Sequence, residues 1–271
     1  MNKTVLITGT SSGFGKLAVK KFQAEGWNVI ATMRTPEKEQ ALSQLENLLL
    51  LKLDVTDKRS ITKAVSDGIS HFGKIDVLVN NAGFGLQGIF EYTTDAQMRR
   101  QFDVNVFGLV STTQALLPHF RANECGVIVN VASIAGRVAF PFTTFYHASK
   151  FAVEGLTESL QYELMPFGIR VKLIEPGAFD TKINSNSVWA IGESGNPYLN
   201  KLDVAKTTMQ GMAAASKQDP EEVSDAIFTA ATDDSDILRY PVGGDAFQIF
   251  ESRVKMSDTE FKNMMKMNLG I

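Results

Sequence analysis

The chain has 271 residues, enough for one large domain or two small ones, and its 44% apolar and 21% charged residues are typical of a globular protein. Its 27 basic and 30 acidic side chains give a net charge of −3, so no basic excess indicates nucleic acid or an anionic membrane as partner. A single cysteine, Cys125, excludes an internal disulfide and a multi-cysteine metal site, and it fits a reducing compartment. The longest apolar runs, such as residues 48–51, fall far short of the roughly 18 residues of a membrane span. We expect a cytoplasmic protein with no metal site.

Short apolar runs alternate with longer segments of helical spacing along the chain. The predicted strands are 5–7, 28–33, 48–53, 76–79, 127–131, 170–174 and 237–240. Helical spacing follows the first and third of these runs, and two longer helices are predicted from about 95 to 120 and from about 144 to 165. Nearly continuous apolar strands are typical of a parallel sheet covered on both faces. The pattern predicts an α/β fold: a Rossmann-type doubly wound parallel sheet of about seven strands with helices on both faces, in one domain over residues 1–271.

Two segments depart from this alternation. Residues from about 177 to 200 are rich in Asn, Ser and Gly, which predicts a long mobile loop that acts as a substrate lid. Residues from about 245 to 271 carry several Phe and Met side chains, which predict a packed helical tail that ends in a strap.

A glycine-rich turn, Thr8-Gly9-Thr10-Ser11-Ser12-Gly13-Phe14-Gly15, follows the first predicted strand and precedes a helix. Such a turn lets the backbone approach a pyrophosphate, whose charge the helix N-terminus favours. The spacing differs from the usual G-x-G-x-x-G. It is not a Walker A loop either, because Leu17 follows Lys16 where Ser or Thr would stand. The alternative is a turn that serves only tight packing between strand and helix.

The second predicted strand ends in Thr32-Met33-Arg34 and lacks the Asp or Glu that binds a 2′-hydroxyl in NAD-selective folds. A guanidinium at this position favours a 2′-phosphate, although Arg34 is also interpretable as an ordinary surface charge. Asp54, after the third strand, is a candidate partner of an adenine amino group. An Asp here is more often a helix cap, and Asp57 is a candidate for that role.

Tyr146 and Lys150 are four residues apart, so on a helix the phenol and the ammonium share one face. A nearby cation lowers the pKa of a phenol from about 10, which makes it a usable proton donor for a developing alkoxide. The alternative is a Tyr/Lys pair on a helix surface. Other polar residues follow predicted strands or interrupt an apolar helix face: Ser133, Asn80-Asn81-Ala82-Gly83, Asn105, and Pro176-Gly177 with Thr181 beyond.

In this order the motifs resemble those of the short-chain dehydrogenase/reductase family from Thr4 to about Thr181, with a less specific late match at residues 239–246. The resemblance implies that Tyr146 is the general acid/base and that Lys150 binds the nicotinamide ribose and depresses the pKa of the tyrosine. It further implies that Ser133 binds the substrate oxygen and that Asn105 positions a water. The implied NADP(H) site comprises Gly9, Ser11, Ser12, Gly13, Phe14, Gly15, Arg34, Asp54, Val55, Asn81, Ala82, Gly83, Tyr146, Lys150, Pro176, Gly177 and Thr181.

The implied activity is NADPH-dependent reduction of a ketone or aldehyde to an alcohol. Apolar and aromatic residues over 134–142, with Phe84 and Leu86, predict a pocket for a lipophilic or aryl ketone, over which Trp189 closes. The alternative is that these side chains pack the core or a subunit contact. The resemblance also implies a homodimer or homotetramer, unless the tail covers the surface that relatives use for assembly.

Three other functions remain open. An NAD-linked alcohol dehydrogenase of the same fold would differ at Arg34. A regulator that senses NADP(H) without turnover would not need Ser133, Tyr146 and Lys150 together. A sugar-nucleotide epimerase or dehydratase usually has a larger substrate domain than the 90 residues that follow Thr181.

Overall fold

Nine strands are present in the computed structural model, which describes residues 2–179, 187–216 and 218–270. In chain order they are β1 (Thr4–Thr8), β2 (Asn28–Met33), β3 (Leu48–Lys52), β4 (Val77–Asn80), β5 (Leu86–Gly88), β6 (Gly126–Val131), β7 (Ile169–Pro176), β8 (Val188–Ala190) and β9 (Arg239–Val242). Seven of them form one parallel sheet in the order β3-β2-β1-β4-β6-β7-β9. This confirms the predicted sheet and its seven strands.

Helices cover both faces of the sheet. They are α1 (Gly13–Ala24), α2 (Lys58–Phe72), α3 (Asp95–Phe102), α4 (Gly108–Ala122), α5 (Thr144–Leu164), α6 (Leu199–Ser216), α7 (Glu221–Thr232), α8 (Gly244–Lys255) and α9 (Asp258–Leu269). Alternate residues of a strand point to opposite faces. Accordingly, Val5 and Ile7 pack with α1 and α7, whereas Leu6 packs with α2, α4 and α5. Asp57 caps α2 by accepting a hydrogen bond from the Arg59 amide, the role that its position predicts.

The strand order places the candidate site. The chain runs outward from β1 through β2 to β3 and then returns to β4 on the other side of β1. Ligands of such sheets bind at the carboxyl ends of the strands on either side of this reversal. The glycine-rich turn follows β1, and Asn81-Ala82-Gly83 follows β4. Both motifs therefore lie at the reversal.

The predicted continuous helix from about 95 to 120 is interrupted in the structure. A π-helical turn over Asp103–Phe107 separates α3 from α4 and contains the buried Asn105. One extra residue in a turn re-aims the side chains within it, and such turns often occur at functional sites. Hydrophobic spacing could not reveal this turn, because the apolar pattern continues across it.

The two irregular segments contain more regular structure than their composition predicts. Within about 177–200, strand β8 pairs in parallel with β5, and α6 begins at Leu199. The tail forms two helices, α8 and α9, where a helix and a strap were expected. Thr181 lies outside the described residues. No helix in the described ranges is both long and apolar enough to cross a membrane.

Candidate active site

The glycine-rich turn packs closely against the segment that follows β4. Gly9 has a φ of +71°, and a Cβ there would lie 2.8 Å from the Cα of Ala82. A Cβ at Gly15 would lie 2.4 Å from Nδ2 of Asn81. Asn81 fastens the two segments, since its Nδ2 donates to the carbonyls of Thr8 (2.9 Å) and Gly9 (3.0 Å). Part of the glycine pattern is therefore explained by packing.

Packing does not explain the start of α1. Ser12 is its N-cap residue but makes no side-chain capping bond, and the first turn contains no acidic residue. Gly13 has a φ of +57°, and a Cβ there would project into open space. Ser11 is exposed. An uncapped helix N-terminus beside a side-chain-free surface fits a pyrophosphate, so the residues present suit a dinucleotide cofactor.

At the adenosine end of this groove, Thr32 and Met33 are buried and Arg34 is exposed. In the described part of the chain no carboxylate lies within ion-pair distance of Arg34. One carboxylate oxygen of Asp54 is already used within the protein, since its Oδ1 accepts from the amide (2.9 Å) and the hydroxyl (2.7 Å) of Thr56. Burial raises the pKa of Asp54, but the Thr56 bonds and the charges of Arg34 and Arg100 outweigh it, and the net direction is downward.

Two further residues of the predicted adenosine site pack against the helices beside it. Val55 packs against Gly108, where a Cβ would lie 2.7 Å from the valine side chain. Gly83 is exposed and faces Asn105, whose Oδ1 would lie 3.3 Å from a Cβ at that position.

The structure brings Ser133, Tyr146 and Lys150 together at the carboxyl end of β6. Ser133 follows that strand, and its Oγ accepts from the Ala135 amide at 3.1 Å and donates to the carbonyl of Pro176 at 3.5 Å. Its hydroxyl also acts on Tyr146, in the first turn of α5, by lowering the pKa of that phenol. Lys150, one turn further on, is buried, and its Nζ lies 5.8 Å from the Tyr146 ring centre and donates to the Val131 carbonyl at 2.8 Å.

The electrostatics of this group correct one expectation. From the sequence, Lys150 is expected to lower the pKa of Tyr146. Burial instead raises the pKa of Tyr146, and the Ser133 hydroxyl, which favours the phenolate, offsets only part of that shift. Burial also lowers the pKa of Lys150 to about 8, against which the charge of Glu154 acts. Both shifts have the same cause, because a low-dielectric site disfavours phenolate and ammonium alike.

Asn105 is connected to this group through its neighbours. Its Oδ1 accepts from the Phe84 amide (3.1 Å), and its Nδ2 donates to the Phe84 carbonyl (3.0 Å). Nδ2 also reaches Ser149 Oγ at 3.4 Å, and that hydroxyl donates to the Tyr146 carbonyl at 2.7 Å. The partners that a buried amide requires are therefore the backbone of Phe84 and the hydroxyl of Ser149.

Two residues inside the Tyr-x-x-x-Lys segment were missed by sequence reasoning. Ser149 is the link just described. His147 is buried and holds the loop after Ser133: its Nε2 accepts from the Phe140 amide (2.8 Å), and Nδ1 faces the Ala135 carbonyl (2.8 Å). Burial lowers the pKa of His147, so the ring is neutral with its proton on Nδ1. The sequence did contain a signal for His147, because it is one of only three His in the chain and lies between Tyr146 and Lys150.

At the end of the groove that is predicted to hold the nicotinamide, Pro176 ends β7 and is buried, and Gly177 follows it. Phe14 of the glycine-rich turn packs edge-to-face on Phe179, with ring centres 5.7 Å apart. The glycine-rich turn and the segment after β7 are therefore in direct contact through these rings.

Part of the predicted aromatic pocket is core. Ile134 and Val138 are buried in a cluster with Phe250 and Phe261 of the tail, and Phe140 packs against that cluster. Leu86 is also buried. These residues therefore support the loop before Tyr146 from behind.

The lid segment and its surroundings keep aromatic side chains near the surface. The ring of Trp189 lies 4.6 Å from Lys206 Nζ of α6. Phe90 stacks on Phe145 with ring centres 5.2 Å apart, and Arg100 lies over Phe84. Whether Trp189 closes over a substrate stays a prediction.

Comparison with known proteins identifies a family model and several oxidoreductases that are similar to this chain. The family model described as short chain dehydrogenase matches residues 3–190. An uncharacterized oxidoreductase of Schizosaccharomyces pombe is 38% identical over 240 residues, covering 88% of this chain and all of the relative. A protein of Bacteroides thetaiotaomicron named 3-ketodihydrosphingosine reductase is 41% identical over 182 residues, covering 67% of this chain and 66% of the relative.

Three solved structures share the fold along nearly their whole lengths. A short-chain dehydrogenase from Streptomyces avermitilis has a TM-score of 0.84 at 34% identity, covering 100% of this chain and 99% of its own. ElxO with bound NADP has a TM-score of 0.75 at 28% identity, covering 92% and 100%. The 3-ketoacyl-(acyl-carrier-protein) reductase of Brucella melitensis, complexed with NADH, has a TM-score of 0.76 at 29% identity, covering 90% and 98%. With its sheet order, glycine-rich turn and Ser-Tyr-Lys group, this oxidoreductase chain belongs to the short-chain dehydrogenase family.

Proposed function

We propose that this protein is an NADPH-dependent reductase that converts a ketone or aldehyde to an alcohol. The observation that carries the proposal is the grouping of Ser133 and Tyr146 with the buried Lys150, one helical turn further on, at the carboxyl end of β6. A pure sensor of the cofactor has no need of this group. The bound nicotinamide would supply hydride to the carbonyl carbon, and the protein's own side chains supply orientation and the proton.

The proton chemistry follows from burial. A tyrosine with its usual pKa of about 10 is protonated at neutral pH, and burial raises the pKa of Tyr146 further, so it is in the acid form that reduction requires. Ser133 Oγ donates to Pro176 only weakly, at 3.5 Å, and can turn to donate to the carbonyl oxygen of a substrate. With a pKa of about 8, Lys150 is mostly cationic at pH 7, and this charge stabilises the phenolate that remains after proton transfer.

The preference for NADPH is supported by the adenosine end of the groove. β2 ends without a carboxylate, and within the described ranges no acidic side chain lies within ion-pair distance of the exposed Arg34, although its charge acts on Asp54. A 2′-phosphate would therefore gain a charged partner, whereas a 2′-hydroxyl would lack its usual acceptor. The solved ElxO structure holds NADP, which is consistent with this reading.

We infer that the substrate is a lipophilic ketone. Phe90 and Phe145 form a stacked aromatic surface next to Tyr146, and Trp189 lies on β8, which pairs with the segment after Asn81. The Bacteroides relative is named for a long-chain 3-keto substrate, which supports the same chemical class.

The test is cofactor oxidation by the purified protein over aliphatic, aryl and bulky polycyclic ketones, with NADPH and NADH in parallel. Tyr146→Phe should lower turnover at least about a hundredfold while NADPH still binds. Tyr162→Phe, on an exposed face of the same helix, should be unchanged. Retained turnover in Tyr146→Phe would overturn the assignment of the acid. Tight NADPH binding with no turnover of any ketone would favour the sensor.

We also propose a homodimer or homotetramer in the cytoplasm. Large apolar side chains are exposed at the end of α5 and beyond, with Tyr162 at 67% and Met165 at 70%, and Cys125 is an exposed free thiol. Light scattering checks the assembly, and a mass of 29.7 kDa in solution would contradict it. Cell fractionation checks the location.

A further inference from the structure

We propose that Asp245 and Gln218 are positioning residues for the nicotinamide half of the cofactor, which they act on by holding the turn after β7. This inference rests on the proposed function, since it takes residues 176–179 to border the nicotinamide. Both side chains lie beyond residues 3–190, which the family model matches: Gln218 precedes α7, and Asp245 lies in the first turn of α8.

Both backbone polar groups of Ala178 are bound by side chains. Its amide donates to Oδ2 of Asp245 at 2.7 Å, and its carbonyl accepts from Nε2 of Gln218 at 2.9 Å. The same Nε2 donates to Oδ1 of Asp245 at 3.0 Å, which closes a three-membered ring of contacts. We call this ring, formed by Asp245, Gln218 and the Ala178 peptide, the Asp245 brace.

Two glycines and one backbone hydrogen bond keep the brace tightly packed. A Cβ at Gly177 would lie 2.0 Å from Oδ1 of Asp245. Gly243 has a φ of +97°, and a Cβ there would lie 2.2 Å from Oε1 of Gln218. The Gly177 amide also donates to the Val242 carbonyl at 2.9 Å, so the turn is fixed to the end of β9. Side chains at either glycine would push the brace apart.

The Asp245 carboxylate is held by amide donors. Besides the bonds from Ala178 and Gln218, Oδ1 accepts from the Ala246 amide at 3.0 Å, and the carboxylate lies at the N-terminus of α8, which favours negative charge. Across the described residues, no Lys or Arg forms an ion pair with it. Its negative charge therefore serves the backbone of the turn, and not a salt bridge of the surface.

The held turn contacts the reactive group on one side and the glycine-rich turn on the other. Ser133 donates to the Pro176 carbonyl, and Phe179 is buried against Phe14 of the glycine-rich turn. Releasing Ala178 would loosen the wall between the nicotinamide and the pyrophosphate while leaving the Arg34 end unchanged. The brace therefore predicts an effect confined to one half of the cofactor.

The experiment compares binding of NADPH with binding of 2′,5′-ADP, which carries only the adenosine half. In Asp245→Ala we expect NADPH to bind about tenfold more weakly, since hydrogen bonds to a charged acceptor are lost, and 2′,5′-ADP to bind as in the wild type. Gln218→Ala should show the same pattern with a smaller change. Asp258→Asn, an 89%-exposed acid in the first turn of α9, is the matched control.

Hydrogen exchange of the peptide spanning residues 173–179 gives a readout that needs no cofactor, and it should quicken in Asp245→Ala. Equal weakening of both ligands, or unchanged NADPH binding with slow exchange, would overturn the proposal and leave Asp245 a purely structural residue. Failure of the wild type to bind either ligand would instead overturn the proposed function. If Asp245→Ala does not fold, Asp245→Asn, which keeps one acceptor oxygen, should still weaken NADPH binding selectively.

Discussion

Arg34 gives the sharpest test of cofactor choice, because the substitution Arg34→Gln removes one charge from an exposed site. The guanidinium is solvated, so a water-like dielectric applies, and a charge pair at 4 Å is then worth about 1 kcal/mol. A 2′-phosphate carries about 1.5 to 2 negative charges at neutral pH. The lost interaction is therefore about 1.5–2 kcal/mol, or a roughly 10- to 30-fold fall in kcat/KM with NADPH.

The assay measures kcat/KM with NADPH and with NADH for the same ketone. NADH should be unaffected, since it lacks the phosphate, and the NADPH preference of the wild type should shrink at high ionic strength, which screens exposed charges. Arg121→Gln is the control: this exposed arginine lies at the end of α4, which leads into the amino end of β6. A similar fall with both cofactors, or no change with NADPH, would refute a role for Arg34 in binding the 2′-phosphate.

Three other predictions concern the reactive group, the β5–β8 pair and helix α5. Reductive kcat/KM should fall above about pH 8, because Lys150 then loses its proton. Glu154→Gln should move this fall to lower pH, because the Glu154 charge raises the pKa of Lys150. A pH–rate profile whose midpoint is the same in the variant and the wild type would contradict this prediction. Gly88→Ala should lower the free energy of unfolding by at least about 1–3 kcal/mol and impair turnover. Gly88 has a φ of +120°, and a Cβ there would lie 2.2 Å from the Ala190 carbonyl oxygen. A variant that unfolds at the wild-type temperature and keeps wild-type activity would argue against a fixed β5–β8 pair. Gly155 lies on the exposed face of α5 with open space around it. Gly155→Ala should therefore stabilise the protein by about 0.4–1 kcal/mol, as measured by denaturant titration. A loss of stability would contradict the helical conformation of Gly155.

The central sheet could be predicted from sequence because its inner strands, such as β1, β4 and β6, are short apolar runs that are buried throughout. The pair β5–β8 could not, since each strand has three residues and the pairing joins Gln87 to Trp189 across about 100 positions of the chain. No local pattern records such a contact. The tail's second helix was missed for a different reason, as its Met and Phe positions suggested packing without fixing a helical face.

The site residues were predicted from motif order, and their chemistry was predicted less well. The pKa direction of Tyr146 depends on how much water reaches the phenol, which only the fold determines. Likewise, the spacing of Tyr146 and Lys150 did not reveal that the ammonium binds the Val131 carbonyl. Some contacts of His147, Ser149 and Asp245 join segments that are distant in sequence, and others depend on hydrogen-bond geometry. Composition contains neither kind of information.

The π-helical turn between α3 and α4 sets the rotational phase of two helices independently. Each residue of a helix advances the face by about 100°, so the extra residue lets α3 present Gln101 to the Leu86 amide while α4 presents Leu116 and Phe120 to the sheet. Deleting a single residue in Asp103–Phe107 would therefore restore regular winding but turn one helix away from its partner. This short stretch is expected to tolerate substitutions at its exposed positions far better than any change in its length.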